Sequence, residues 1–375
     1  MHVVQALVSL NIGGSEMVAV EITEHLRAAG HRVTVIAANG PLADRVKVSG
    51  ADLLSWPIGR KRLGTLRYIR QFRAWLLENK PDIIHVHSRL PAWICYLAMK
   101  KLPVDKRPVF ITSMHGQYSV SNYSAIMARG DHVIAVSRHI REYTLKNYLP
   151  ENSSHLHTIY GGTSRVDFPY GYQHSDDWKR DMFAEFPQLK NKRILLLPGR
   201  LSRYKGHAIF IELLARLQSS YDDIHGVILG QAKPGSRYIN ELEGLAIRGG
   251  VSDKLSFVGA RTDMRDCMAA SCIVFNLCSD PPEAFGRTMP EALSLGVPVI
   301  AWNHGGVKEI LREMYPFGAV QADNLPALIQ KTGIFLQQTP MVKQSNAFSL
   351  QSSMEKTLEL YHTTLSSEQT VEREG

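Results

Sequence analysis

The 375 residues include only four cysteines, Cys95, Cys267, Cys272 and Cys278, and no two of them form a CxxC pair or a zinc spacing. A disulfide-stapled secreted domain therefore has no support, and reduced, buried thiols in a cytosolic protein are expected. No apolar run reaches the ~18 to 20 residues that a membrane span requires. The opening MHVVQALVSLN lacks the basic region and small-residue cleavage site of a signal peptide and reads as a first strand. A cytoplasmic location is expected. No GxGxxG follows that strand, and AANG stands at the end of the second, where a dehydrogenase keeps its acidic ribose reader. A nicotinamide-dependent enzyme is thereby disfavoured. Zinc fingers, aromatic-rich RNA motifs and solenoid repeats are all missing, so nucleic acid is not an expected partner. Acid is the minority charge: 35 Asp and Glu against 43 Lys and Arg leave +8, which suits an anionic partner.

Short runs rich in Val and Ile alternate with helical stretches. The first half gives HVVQALVSL, RVTVIAAN, ADLLSWPI, PDIIHVHS, PVFITSMHG and HVIAVS; the second gives RILLLPGR, HGVILGQ, KLSFVGA, CIVFNLC and PVIAW. Apolar strands without polar alternation, joined by helices, predict parallel sheets covered on both faces. The expected fold is α/β, two Rossmann-like doubly wound domains facing a cleft, with a first domain over 1–165 and a second over 166–349. The polar stretch FPYGYQHSDDWKRDMFAEFPQLKNK is read as a linker plus a short helix. A last helix near 350–368 is expected to return to the first domain, and 369–375 to form a disordered tail.

Open α/β sheets bind ligands beyond the carboxyl ends of their strands, so the loops there matter most. SLNIGGSE places Gly13 and Gly14 before a helix, where backbone can approach an anion closely; a plain tight turn reads equally well. SMHGQY places His115 directly after a strand. His85 and His87 of IIHVHS are expected to diverge about their strand, and neither is assigned. PGRLSRYKGH sets Arg200 and Lys205 around a helix start, a fit for a diphosphate. DPPEAFGRTMPEALSLG sets Glu283 in a loop and Glu291 more than one turn inside a helix closed by Gly296, with the N–H groups near Arg287 and Thr288 between them. Two carboxylates so placed suit diols at the two ends of an elongated ligand. A hydrolase pair would have to flank one bond, and a metal site would need a third ligand, for which Asp280 is a weak candidate.

In this order the loops resemble the retaining glycosyltransferases of the GT-B fold, the large group 1/family 4 type that includes bacterial lipopolysaccharide-core and phosphatidylinositol glycosyltransferases. GGSE, HG, GRLSRYKG, LSFVGAR and PEAFGRTMPEALSLGVPVIAWNHGG carry the resemblance over nearly the whole chain. Two departures are IYGGTSRVDF, in place of a Pro-Asn-Gly-Val-Asp stretch, and Pro290, directly before the second glutamate. The resemblance implies that the first domain takes the acceptor and the second the donor. Glu291 would hold the ribose diol and Glu283 the sugar hydroxyls. The backbone of Ala284, Phe285 and Gly286 would line the sugar, and that of Arg287 and Thr288 the phosphates. Arg200 and Lys205 would neutralise the diphosphate, and Gly259, Ala260 and Arg261 would border the base. Gly13 and Gly14 would approach donor phosphate and acceptor, with His115 near the sugar. Glu283, His115, Arg200 and Lys205 are the catalytic candidates. No metal and no cofactor are implied, since the nucleotide sugar is a substrate.

The implied activity is transfer of a hexose, with UDP the family's commonest carrier, to lipopolysaccharide core or another lipid-linked saccharide. A soluble acceptor, or an epimerase or hydrolase of the same fold, is the alternative. GRKRLGTLRYIRQFRAWLLENK reads as an amphipathic helix on its own sheet with a solvated basic face, and such a face also fits an anionic membrane. HGQYSVSNYSAIM is expected to add exposed aromatics to that surface.

Overall fold

Parallel strands need long crossovers, and the helices that supply them cover both faces of a sheet, so near-continuous apolar strands are what such a sheet selects. A computed structural model of the chain describes residues 1–232 and 236–374, with side chains described to 366. It divides into two units, Met1–Gly161 with Gln351–Gly375, and Gly162–Leu350. The expected tail, 369–375, falls outside the residues whose side chains are described.

The first unit holds β1 (His2–Ser9), β2 (Arg32–Ala38), β3 (Asp52–Leu54), β4 (Ile83–Val86), β5 (Val109–Met114), β6 (His132–Ala135) and β7 (Leu156–Thr158). They form one parallel sheet in the order β3-β2-β1-β4-β5-β6-β7. In β1, Val3, Val4, Ala6 and Leu7 are almost wholly buried, as a central strand covered on two faces requires. Gln5 lies among them, equally buried. The helix Gly14–Ala28 packs Ala19, Val20, Ile22 and Leu26 inward. Ser137 accepts from the Ile140 N–H at 3.1 Å and so caps the helix Arg138–Asn147.

The second unit holds β8 (Arg193–Pro198), β9 (Ile224–Leu229), β10 (Leu255–Phe257), β11 (Ser271–Asn276), β12 (Val299–Trp302) and β13 (Ala319–Val320), parallel in the order β10-β9-β8-β11-β12-β13. Its entering and leaving segments run side by side. The Thr163 N–H donates to Phe348 O and the Leu350 N–H to Thr163 O, at 2.9 and 3.0 Å.

The two sheets, all parallel and flanked by helices, are the α/β architecture the strand pattern predicts. β7 and β13 were not foreseen. Each is an edge strand of two or three residues, too short and too mixed to show a pattern. The polar stretch after the first unit contains the helix Asp176–Glu185, capped by Ser175. The carboxy-terminal helix, Leu350–Glu374, sets Tyr361, without exposed surface, beside Gln5 and His85 of the first sheet.

The basic stretch forms a 3-10 turn, Leu63–Leu66, and the helix Arg67–Asn79. Tyr68, Phe72 and Leu76 bury one face, with Trp56 stacked on Tyr68. The other face leaves Leu63 89% and Leu66 54% exposed beside exposed Arg60, Lys61, Arg62, Arg67 and Arg70. The segment HGQYSVSNYSAIM differs from expectation. Ile126 and Met127 are fully buried, and the Arg89 guanidinium lies over the rings of Tyr118 and Tyr123 at 4.8 and 5.4 Å. Its aromatics are packing and cation-π partners rather than free surface. Among the described residues no helix is long and apolar enough to cross a membrane.

Candidate functional site

Strand order reverses between β8 and β11 in the second sheet, and this switch point is where an open α/β sheet leaves a crevice at its carboxyl edge. The loop after β8 carries Arg200 and Lys205, and the loop after β11 carries Glu283. They meet there: the Lys205 ammonium donates to Glu283 Oε2, across 78 residues of sequence.

Backbone contacts fix that meeting. The Ser279 N–H donates to Tyr204 O at 2.8 Å, tying one loop to the other. Gly206, in the left-handed region at φ 79°, sits so close to Leu277 that an added Cβ would fall 2.3 Å from its carbonyl oxygen. Only glycine satisfies both the torsion and the approach. Burial by itself would lower the Lys205 pKa, but the Glu283 charge and hydrogen bond, with the nearby Cys278, carry it above the ordinary lysine value. The ammonium stays charged, and of its three N–H donors one is given to Glu283. Arg200 is exposed and makes no ion pair among the described residues. Two cations thus flank this loop with donors to offer an anion.

The glutamate loop is braced from its other side by His304, Gly305 and Gly306, at the start of the helix Gly305–Met314. His304 Nε2 donates to Cys278 O at 2.6 Å and the Gly306 N–H to Glu283 O at 2.8 Å. A Cβ on Gly306 would lie 2.1 Å from Ala284 O. The motif carried this NHGG stretch, but no role was foreseen for it, because nothing local in the sequence says that a helix start will press against a loop some 20 residues earlier.

Gly286 turns the loop into the helix Thr288–Leu295 at φ 90°. That helix begins later than expected, which corrects the position of Glu291. It is the fourth residue, still in the first turn, and its charge is favourable at that end of the dipole. Pro290, third in the helix, loses only an N–H that has no intrahelical acceptor. Glu291 is 8% exposed, and its Oε1 accepts from Arg287 Nε at 3.1 Å. Phe285 is buried in an edge contact with Phe348, which anchors the loop, and Ala284 beside it is partly exposed. The Thr288 amide, first of the helix, points beyond the helix end as all first amides do.

Gly259 follows β10 with φ 70°, and nothing lies within 4 Å of where its Cβ would be. The Arg261 side chain is committed elsewhere, to Asp263 at 2.8 and 2.9 Å and to Glu185 at 2.9 Å. Those bonds raise its pKa further. Among the described residues no cluster of three or more His, Cys, Asp or Glu is grouped as a metal site would need.

The remaining candidates belong to the first unit. Gly13 and Gly14 open the helix Gly14–Ala28, and the Glu16 carboxylate lies against Gly13, held by the Ser15 hydroxyl at 2.8 Å. The nearest charge there is negative, the opposite of what a phosphate site asks. His115 follows β5 and is partly exposed. Its Nε2 lies 3.0 Å from His87 Nδ1. The expected divergence of His85 and His87 is wrong, because residues two apart on a strand share a face. Their rings are 4.2 Å apart, within a buried network that also holds Gln5, Ser113 and Tyr361. One signal in the sequence pointed to this network: Gln5, His85 and His87 are polar residues inside otherwise apolar buried strands.

Residues 12–165 match the family model Glycosyltransferase Family 4, and residues 179–338 match Glycosyl transferases group 1. Spore coat protein SA of Bacillus subtilis is 28% identical over 315 residues, 80% of this chain and 79% of that protein. The phosphatidyl-myo-inositol mannosyltransferase of Mycolicibacterium smegmatis is 26% identical over 319 residues, 80% of this chain and 75% of that one. Anabaena HepE, solved in complex with UDP and glucose, shares the fold at a TM-score of 0.78 and 21% identity, covering 98% of this chain and 100% of that structure. With both units matched in order by their family models, on two parallel Rossmann-like sheets, the chain belongs to the group 1/family 4 glycosyltransferases of the GT-B fold.

Proposed function

We propose that the second unit binds a nucleoside diphosphate sugar, UDP-linked by preference, and that the enzyme transfers its hexose with retention of configuration to a lipid-linked cell-envelope saccharide such as lipopolysaccharide core. The observation that carries the reading is the Lys205–Glu283 pair at the switch point, beside the start of the helix that bears Glu291. Glu291 takes the ribose diol. Glu283 takes hydroxyls of the sugar, with the backbone of Ala284, Phe285 and Gly286 along it. The backbone of Arg287 and Thr288, with the Arg200 and Lys205 side chains, faces the diphosphate, and Gly259 and the Arg261 backbone border the base.

Charge dictates the chemistry. The bond from the anomeric carbon to the diphosphate oxygen breaks, leaving negative charge on the nucleotide and an oxocarbenium-like sugar. Arg200, Lys205 and the helix N-terminus are in place beforehand and stabilise the departing anion as its charge develops, so the chain's own groups meet the need that a divalent metal serves elsewhere. The acceptor oxygen bonds to the same face of the anomeric carbon, and its proton passes to the leaving phosphate oxygen. In the first unit, His115 is the side chain that offers a ring nitrogen to a substrate hydroxyl, and Gly13 and Gly14 allow close backbone approach to the acceptor.

The relative named for phosphatidyl-myo-inositol mannosylation and the HepE complex with UDP and glucose support a nucleotide-sugar donor and a lipid-linked acceptor. So does the basic face with outward Leu63 and Leu66, which suits the anionic surface where such acceptors reside. The test is a donor panel with purified enzyme, scoring nucleoside diphosphate release with and without EDTA, with membrane extract and with anionic vesicles. Acceptor-dependent, EDTA-insensitive release from one UDP-sugar is expected, together with vesicle binding that weakens as salt rises. Release that ignores the acceptor would make the enzyme a hydrolase or epimerase, and binding indifferent to lipid charge and salt would remove the membrane from the account.

A further inference from the structure

The hydrogen bonds around His115 form a chain whose sense is set by one amide. Gln5 Nε2 donates to the Tyr361 hydroxyl at 3.3 Å, so that hydroxyl gives its own proton to His85 Nδ1, 2.6 Å away. His85 Nε2 then donates to Ser113 Oγ at 2.7 Å. On the other side of the amide, Gln5 Oε1 accepts from His87 Nε2 at 2.6 Å, which leaves His87 Nδ1 as a lone pair. That lone pair accepts from His115 Nε2 at 3.0 Å. His115 Nδ1 has no partner among the described residues and is not sealed from solvent. Every other member is buried, so each must be satisfied, and a single flip of the Gln5 amide would reverse every bond in the chain.

We propose that Gln5, anchored by Tyr361 of the carboxy-terminal helix, is a positioning residue that fixes His115 as its Nε2–H tautomer and so presents the Nδ1 lone pair to a substrate hydroxyl. The inference rests on the glycosyl-transfer reading for the identity of that hydroxyl, on the transferred sugar or the acceptor, but not for the tautomer itself. A neutral relay is what the surroundings enforce. Burial holds His115 near pKa about 4 and, with the His115 charge, His85 near about 3; burial and its two histidine neighbours keep His87 well below the usual value. His115 therefore acts at neutral pH as a hydrogen-bond acceptor and not as a cation. Tyr361 matters because it ties the amide: without its hydroxyl, neither end of Gln5 is distinguished on that side.

The test joins spectroscopy to kinetics on the full-length enzyme. In nitrogen-15 spectra at neutral pH, with His115→Gln used to assign the signal, wild-type His115 is expected as a single Nε2–H tautomer. Tyr361→Phe, which removes one oxygen, should mix the two tautomers and lower kcat with donor KM unchanged. Gln5→Met should do the same more strongly, by about tenfold in kcat, the order of effect of weakening one hydrogen bond to the substrate. If Gln5→Met fails to fold, Tyr361→Phe decides alone. A wild-type Nδ1–H tautomer, or a Tyr361→Phe enzyme with unaltered spectrum and kcat, overturns the proposal. A single Nε2–H tautomer in a protein that transfers no sugar would leave the relay standing and remove the transfer reading instead.

Discussion

Lys205→Met is expected to lower kcat/KM for transfer by about two to three orders of magnitude, the range for losing one preorganised group at a developing anion. Glu283→Gln is expected to lose a similar factor, because its carboxylate both grips the sugar and orients the ammonium. The two effects should not add. Each change removes the same ion pair, so the double variant should be only slightly worse than either single. Stability should fall less than activity. The two side chains are 20% and 21% exposed, so a lone survivor remains partly hydrated and costs about 1 to 3 kcal/mol. Initial rates over a range of donor concentrations, with thermal melts of the same preparations, check both statements. Near wild-type transfer by either single variant would remove this pair from the chemistry.

Gly306→Ala is expected to inactivate the enzyme without touching a ligand-binding side chain. The new methyl group would sit 2.1 Å from Ala284 O and 2.7 Å from Phe285 Cα, both backbone, so the helix Gly305–Met314 or the glutamate loop must retreat. Overpacking of this kind costs about 1 to 3 kcal/mol, and even a small shift of Glu283 removes it from register with Lys205. A matched control separates this from a general intolerance of alanine. At Gly14 nothing lies within 4 Å of the added Cβ, and Gly14→Ala should leave the melting temperature unchanged or slightly raised. Equal melting temperatures for Gly306→Ala and the wild type would contradict the packing described here.

These two predictions also mark how far the sequence could be read. The apolar strand runs and the turn residues after them put Arg200, Lys205 and Glu283 in loops that follow strands, because period and turn residues are local signals. The partnership of Lys205 with Glu283 was not readable. It depends on β8 and β11 becoming neighbours, which strand order decides and no local pattern records. The start of the Glu291 helix was misplaced because the left-handed Gly286 and the Arg287 turn delay it, a difference of backbone torsion rather than composition. The histidine relay was missed for another reason. Tyr361 comes from a helix 276 residues away from His85, and only its packing on the first sheet reveals that three buried polar residues are each satisfied.

A crystal soaked with the donor identified by the panel tests the central claim most directly. The diphosphate should lie within hydrogen-bonding distance of Lys205 Nζ and the Arg200 guanidinium at the start of the Thr288–Leu295 helix, with the sugar on Glu283 and the ribose on Glu291. A donor bound away from the switch point of the second sheet, with all four of those side chains turned from it, would contradict the account.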